Sequence, residues 1–136
     1  MTAGAAGVIV GSSMAWVRTG GARRNSYDLF AVIGRLGFAP DGPASAALRW
    51  WPLVPLLAVA GVVVAWWGWP RPGGALGILG ALYAGGVAIA VSAAPAASDV
   101  IDVEPGALVT AIGGVALFVG SVLCVVIPTR PTGRAR

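Results

Sequence analysis

Two tryptophan clusters, Trp50-Trp51 and Trp66-Trp67-Trp69, bracket a run from Pro52 to Ala65 that contains no charged residue. As a helix, the stretch from Trp51 to Trp66 rises roughly 22 Å. Arg49 and Arg71, just outside the clusters, would stand about 33 Å apart, against a bilayer hydrocarbon core of roughly 30 Å. Indole rings settle in the headgroup zone, where the ring stays apolar and the N–H finds a partner. Trp50, Trp51, Trp66, Trp67 and Trp69 are therefore the expected interface anchors of one membrane helix.

The rest of the chain agrees with that class. It has 136 residues, 57% hydrophobic and only 10% charged, with a mean hydropathy of +0.85, outside the range of soluble domains. Four apolar segments cover about residues 2–17, 50–69, 75–94 and 106–127. The expected fold is all-α, a single integral membrane domain built as a four-helix bundle, with a polar basic tail over 128–136. The first segment is short and lacks the basic start of a signal peptide. It reads as a first membrane helix from a chain whose true start lies slightly upstream, with a cleaved signal as the second reading. Pro52 and Pro55 should begin or kink the second helix, and Pro70-Arg71-Pro72-Gly73-Gly74 should end it. Pro95 to Pro105 reads as a short acidic loop.

The polar stretch from Arg18 to Arg49 has internal order. Asn25 can cap a helix and Asp28 suits its first turn. Leu29, Val32, Ile33 and Leu36 then recur on one face, with Asp28, Ala31 and Arg35 opposite. Gly37 is a natural stop. A short amphipathic helix over about 26–37 follows, lying on the membrane surface or against the bundle.

An absence says most about mechanism. None of the four segments contains Asp, Glu, Lys, Arg or His. Proton-coupled pumps and transporters need an ionisable group within the membrane. The chain has no histidine at all, which leaves no Ser/His or Cys/His pair for nucleophilic catalysis. Cys124 is the lone cysteine, so no disulfide pair or cysteine-based metal site arises within the chain. Asp99, Asp102 and Glu104 match no calcium-loop spacing and read as a solvated acidic loop. No enzyme activity, cofactor or metal is expected, and the scattered arginines do not form a nucleic-acid surface.

What the segments do contain is small residues at helical spacing. Gly77, Ala81 and Gly85 recur in the third segment, with Gly73 just ahead of it at the same spacing, Ala3, Gly7, Gly11 and Ala15 in the first, and Ala116, Gly120 and Cys124 in the fourth. Lipid offers helices no hydrophobic drive to associate, so small side chains that let backbones approach closely supply the contact. Gly7, Gly11, Gly77, Ala81 and Gly85 are thus candidates for packing inside the bundle or against a partner. Arg18, Arg23 and Arg24 are candidate lipid-headgroup ligands, since a guanidinium fork fits phosphate. Arg130, Arg134 and Arg136 in the tail have no acidic neighbours, which favours both termini on the cytoplasmic side of the plasma membrane.

The run WVRTGGARRNSYDLFAVIGRLGF followed by LRWWPLVPLLAVAGVVVAWWGW resembles small four-helix membrane proteins of actinobacteria, of the mycobacterial type. The shared pattern is a first helix ending in tryptophan, an Arg/Gly then Asn/Ser-aromatic loop helix, and a tryptophan-proline start to the second helix. The resemblance covers about residues 14 to 70 and implies membrane location and architecture but no reaction. Some proteins of this type are accessory subunits of envelope machines, such as lipid transporters or secretion assemblies. The expectation is a non-enzymatic accessory or scaffold subunit of a larger cell-envelope complex, surrounded by membrane lipids. The alternative is a homo-oligomeric membrane protein that binds or transports lipid or a small molecule.

Overall fold

The computed structural model describes residues 1–19, 21–35, 49–93 and 101–127. The chain is mostly helical, as the sequence leads one to expect. Among the described residues five helices stand out: α1 (Thr2–Ser13), α2 (Ser26–Arg35), α3 (Leu53–Trp66), α4 (Pro70–Ala93) and α5 (Pro105–Val126). Three short strands join them: β1 (Ala15–Thr19), β2 (Ala22–Asn25) and β3 (Ile101–Val103).

Among the described residues, only α4 and α5 are long and apolar enough to cross a membrane. Their lengths correspond to roughly 36 and 33 Å. The first two of the four expected spans are shorter than anticipated. α1 has 12 residues and α3 has 14, or roughly 18 and 21 Å.

α1 ends at Ser13, where Ser12 and Ser13 both turn their hydroxyls onto the Ile9 carbonyl, at 2.9 and 3.0 Å. Such side-chain bonds compete with helical continuation. Met14 is already extended, and β1 follows where the first helix was expected to run on to Val17. β1 sits between β2 and β3, antiparallel to both. Thr19 pairs with Ala22 in the hairpin, the closest spacing a hairpin admits. A register irregularity between Ala15 and Val17 lets consecutive residues Trp16 and Val17 both turn inward. β3, in the stretch expected to be an acidic loop, pairs Val103 with Val17, and the Glu104 N–H extends the ladder to the Trp16 carbonyl at 2.9 Å.

α2 starts where expected, with Asn25 Oδ1 accepting the Asp28 N–H at 2.9 Å. Its inner face is Ser26 and Phe30, with Leu29 and Ile33 partly buried against the core, so the helix packs on the protein itself. Leu36 and Gly37 lie outside the described residues.

The α3–α4 connection differs from expectation. The stop is Gly68, whose φ of 90° suits the left-handed residue that closes a helix. Pro70, expected to end one helix, instead opens the next, where its missing N–H is no loss.

The main packing partners are α4 with α5, α1 with α5, and α3 with α4. α1 runs antiparallel to α5, with Gly11 beside Thr110, Gly7 beside Gly113 and Gly4 beside Leu117. The sheet therefore caps the end of the molecule opposite Trp66, Trp67 and Trp69.

Candidate functional site

The most specifically built part of the molecule is where the sheet meets α1, α2 and the start of α3. Trp16 and Trp51 are the two largest fully buried side chains. Trp51 stacks edge-on against Trp16, Phe30 and Tyr83, with ring centroids 5.3, 4.9 and 5.9 Å away. Trp16 meets Phe30 in the same manner at 5.9 Å. Edge-to-face geometry sets the positive rim of one ring against the negative face of the next.

Hydroxyls thread this cluster. The Trp51 indole N–H donates to Ser26 Oγ at 3.0 Å, and Ser26 donates to the Ser12 carbonyl at 2.6 Å. The Trp16 indole N–H donates to the Gly11 carbonyl at 2.9 Å. Gly11 and Ser12 lie in the last turn of α1, where carbonyls run out of regular helical partners; the Gly11 carbonyl takes the Met14 N–H at 3.2 Å as well as the Trp16 indole. The cluster thus seals a helix end that stops inside the protein. Trp51 departs from its expected role: it is 1% exposed, because its N–H has a protein partner and its ring has three aromatic neighbours. Trp50, Trp66, Trp67 and Trp69 are all well exposed.

The small-residue rows come together inside the chain. A Cβ on Gly113 would lie 2.6 Å from the Gly7 carbonyl carbon, and one on Gly11 would meet the Thr110 backbone. Gly77 faces Ser121 Oγ and the Met1 side chain. Ala81 is 3% exposed within the α4–α5 contact, where Gly114 approaches its carbonyl. Gly7, Gly11, Gly77 and Ala81 are therefore packed within the chain. On α5 the most buried row is Ala107, Thr110, Gly114, Leu117 and Ser121; of the expected Ala116, Gly120 and Cys124, the last two meet Met1 and Ala116 is exposed.

Gly85 is different. Its nearest cross-helix neighbour, Gly114 Cα, is 3.9 Å from where a Cβ would sit, and a Cβ on Gly86 would meet nothing within 4 Å. Here α4 and α5 leave an apolar groove of about 290 Å³, walled by Leu82, Ile89, Val115 and Phe118.

The arginines sit on the hairpin. Arg18 of β1 pairs in register with Arg23 of β2 on one side and with Asp102 of β3 on the other. Arg23 Nε lies 3.7 Å from Glu104 Oε1, the arginine mostly exposed, which is a weak surface contact. Arg24, opposite Val17, is half-buried. The hairpin gathers the three residues on adjacent strands.

The aromatic cluster, the hairpin and the open groove went unseen in sequence. The Thr19-Gly20-Gly21-Ala22 run was the one available signal, since two glycines between β-prone residues mark a hairpin. Among known proteins the chain matches no family, no curated protein and no solved structure.

Proposed function

We propose that this chain is a non-enzymatic integral membrane protein, a four-helix membrane bundle serving as an accessory or scaffold subunit of a larger cell-envelope transport or secretion complex. Support for the membrane setting comes from the distribution of side-chain size. α4 and α5 turn Ala81, Ala84, Ala88, Thr110 and Ser121 inward and Leu79, Leu82, Ile89, Leu108, Ile112, Val115 and Leu123 outward. A soluble protein would leave such an outer surface open to aggregation. Lipid gives it a solvent, and small inner residues then supply close helix contact. The short α1 and α3 lie alongside the long pair, and the exposed Trp66, Trp67 and Trp69 mark one interface.

The observation that carries the subunit reading is the groove beside Gly86. Gly7, Gly11, Gly77 and Gly113 are closed by the chain's own backbone or side chains, and Gly114 by the Gly85 backbone, whereas the Gly86 side is open to the outside. It suits a helix that brings a small or medium apolar row to the α4–α5 pair. The buried hydroxyls of Ser12, Ser26 and Thr110 are engaged with backbone carbonyls, which supports a packing role for them over a catalytic one. Both termini are assigned to the cytoplasmic side on the strength of the tail arginines.

The test fills the groove. Gly86→Leu adds bulk where nothing stands within 4 Å, so the fold should be retained. After mild detergent extraction, the wild type should carry a partner set that Gly86→Leu loses at equal membrane abundance. Equal recovery of the same partners by both proteins overturns the reading.

A second reading, a homo-oligomer that binds or moves lipid, is favoured by one feature. The hairpin sets Arg18 beside Arg23 on one face of the sheet, two guanidinium groups suited to headgroup phosphates, while Arg24, in register with Val17, falls on the other face.

A further inference from the structure

α2 and the start of α3 enclose a recess of about 250 Å³, lined by Tyr27, Phe30, Ala31, Arg49, Trp51 and Pro52. It is separate from the hairpin arginines and from the α4–α5 groove. Its wall is almost wholly aromatic and aliphatic, and the donors that might have faced it are engaged elsewhere. The Trp51 indole N–H is held by Ser26 Oγ. Ser12 Oγ gives its proton to the Ile9 carbonyl, so in the 3.4 Å contact between Ser12 Oγ and the Tyr27 hydroxyl the tyrosine is the donor.

One charged group remains at the rim. Arg49 is exposed, and among the described residues its guanidinium makes no ion pair. The opening therefore combines an unneutralised cation with an apolar wall. Trp50, adjacent and 59% exposed, sets the depth, since an outward indole at a helix end belongs in the headgroup zone. A ligand suited to this arrangement is anionic at one end and apolar at the other, and it arrives from the bilayer.

We propose that this recess binds the headgroup of an anionic phospholipid, with Arg49 as the phosphate ligand and Phe30, Ala31 and Pro52 in contact with the glycerol and the first methylenes. Arginine suits the task because its planar fork meets two phosphate oxygens at once. The aromatic wall excludes water and strengthens that contact. The proposal rests on the membrane setting of the chain and is independent of whether the groove docks a partner.

The test uses the full-length protein in detergent micelles and in vesicles of phosphatidylcholine with or without phosphatidylglycerol, with bound lipid counted by native mass spectrometry. Wild type should retain phosphatidylglycerol in preference to phosphatidylcholine. Arg49→Gln should weaken that retention roughly tenfold, the loss of one charge-assisted contact. Ala31→Trp, which fills the recess from an exposed helix position, should do the same while far-ultraviolet circular dichroism stays unchanged. Arg71→Gln, exposed at the opposite end of the molecule, should retain the lipid as wild type does. Inorganic phosphate and glycerol 3-phosphate serve as soluble competitors and should displace little. Wild-type retention by both Arg49→Gln and Ala31→Trp overturns the proposal, as does displacement by inorganic phosphate alone, which would make the ligand a free anion. A protein recovered outside the membrane fraction would instead overturn the membrane setting itself, so the two failures are distinguishable.

Discussion

Two regions hold this molecule together by opposite means. Where the sheet meets α1, α2 and α3, the contacts are made by the bulkiest side chains, Trp16, Trp51, Phe30 and Tyr83, and fixed by directed hydrogen bonds. Along the α1–α5 and α4–α5 seams the contacts are made by Gly7, Gly113, Gly114 and Ala81, where side chains are nearly absent. The difference follows from what each region must solve. The first contains the blunt end of a helix that stops inside the protein, where indole and serine donors add to the Met14 N–H in satisfying the last carbonyls. The second joins helix bodies whose backbone bonds are internal, so close approach across small residues is the main stabilising term, with Val8 and Leu117 filling the remaining space.

The largest expected effect tests the first region. Trp51→Ala removes a fully buried indole, three ring contacts and the donor to Ser26, and should cost about 4 kcal/mol. Unfolding in mixed micelles under rising sodium dodecyl sulfate, followed by near-ultraviolet circular dichroism, would measure it. A loss below about 1 kcal/mol would mean that the cluster is filler between elements held from elsewhere. Next comes the seam: Gly113→Val drives carbons into the Gly7–Val8 backbone and should cost about 3 kcal/mol. Because the clash is with backbone, no rotamer relieves it. If Gly113→Val is tolerated while Trp51→Ala is not, the seam is looser than its contacts imply and the aromatic region alone carries the fold.

The two regions also differ in how well sequence reveals them. The seams belong to long apolar helices, and α5 was expected within a residue of its observed bounds because hydropathy and helix length are local signals. The Asn25 cap of α2 was legible for the same reason. Trp51 was not. Its neighbours Trp50 and Pro52 are exposed, and nothing in the local sequence distinguishes an indole that meets lipid from one that meets Phe30 across the fold. Hydropathy also carried α1 through to Val17, although the serines at 12 and 13 and the glycines at 20 and 21 carry the turn chemistry. Gly85 shares its spacing with Gly77, yet only one of the two faces a closed contact. That distinction depends on how the helices splay, which no single helix encodes.

A smaller effect separates hydrogen bonding from ring packing within the aromatic region. Ser26→Ala leaves the Trp51 N–H and the Ser12 carbonyl without their partner and should cost roughly 2 kcal/mol. In a Trp51→Phe background, where the N–H is already gone, the same substitution should cost clearly less. Equal costs in both backgrounds would show that Ser26 acts through shape rather than through its two bonds.

The smallest effect lies in the seam and runs in the other direction. Ser121 Oγ is fully buried beside Gly77 and has no hydrogen-bond partner, in contrast to Thr110, whose hydroxyl donates to the Gly106 carbonyl one turn back at 2.9 Å. A buried hydroxyl without a partner is a liability that an apolar group of similar size does not share. Ser121→Ala should therefore be neutral or stabilising by up to about 1 kcal/mol, read from the same detergent unfolding midpoint. It should also soften Gly77→Ala, whose new methyl otherwise meets Ser121 Oγ, so the pair should be less harmful than the sum of its singles. A destabilising Ser121→Ala with no relief of Gly77→Ala would place a partner on that hydroxyl. The glycine-lined seam would then rely on directed polar bonds as the aromatic region does, and the contrast between the two would fail.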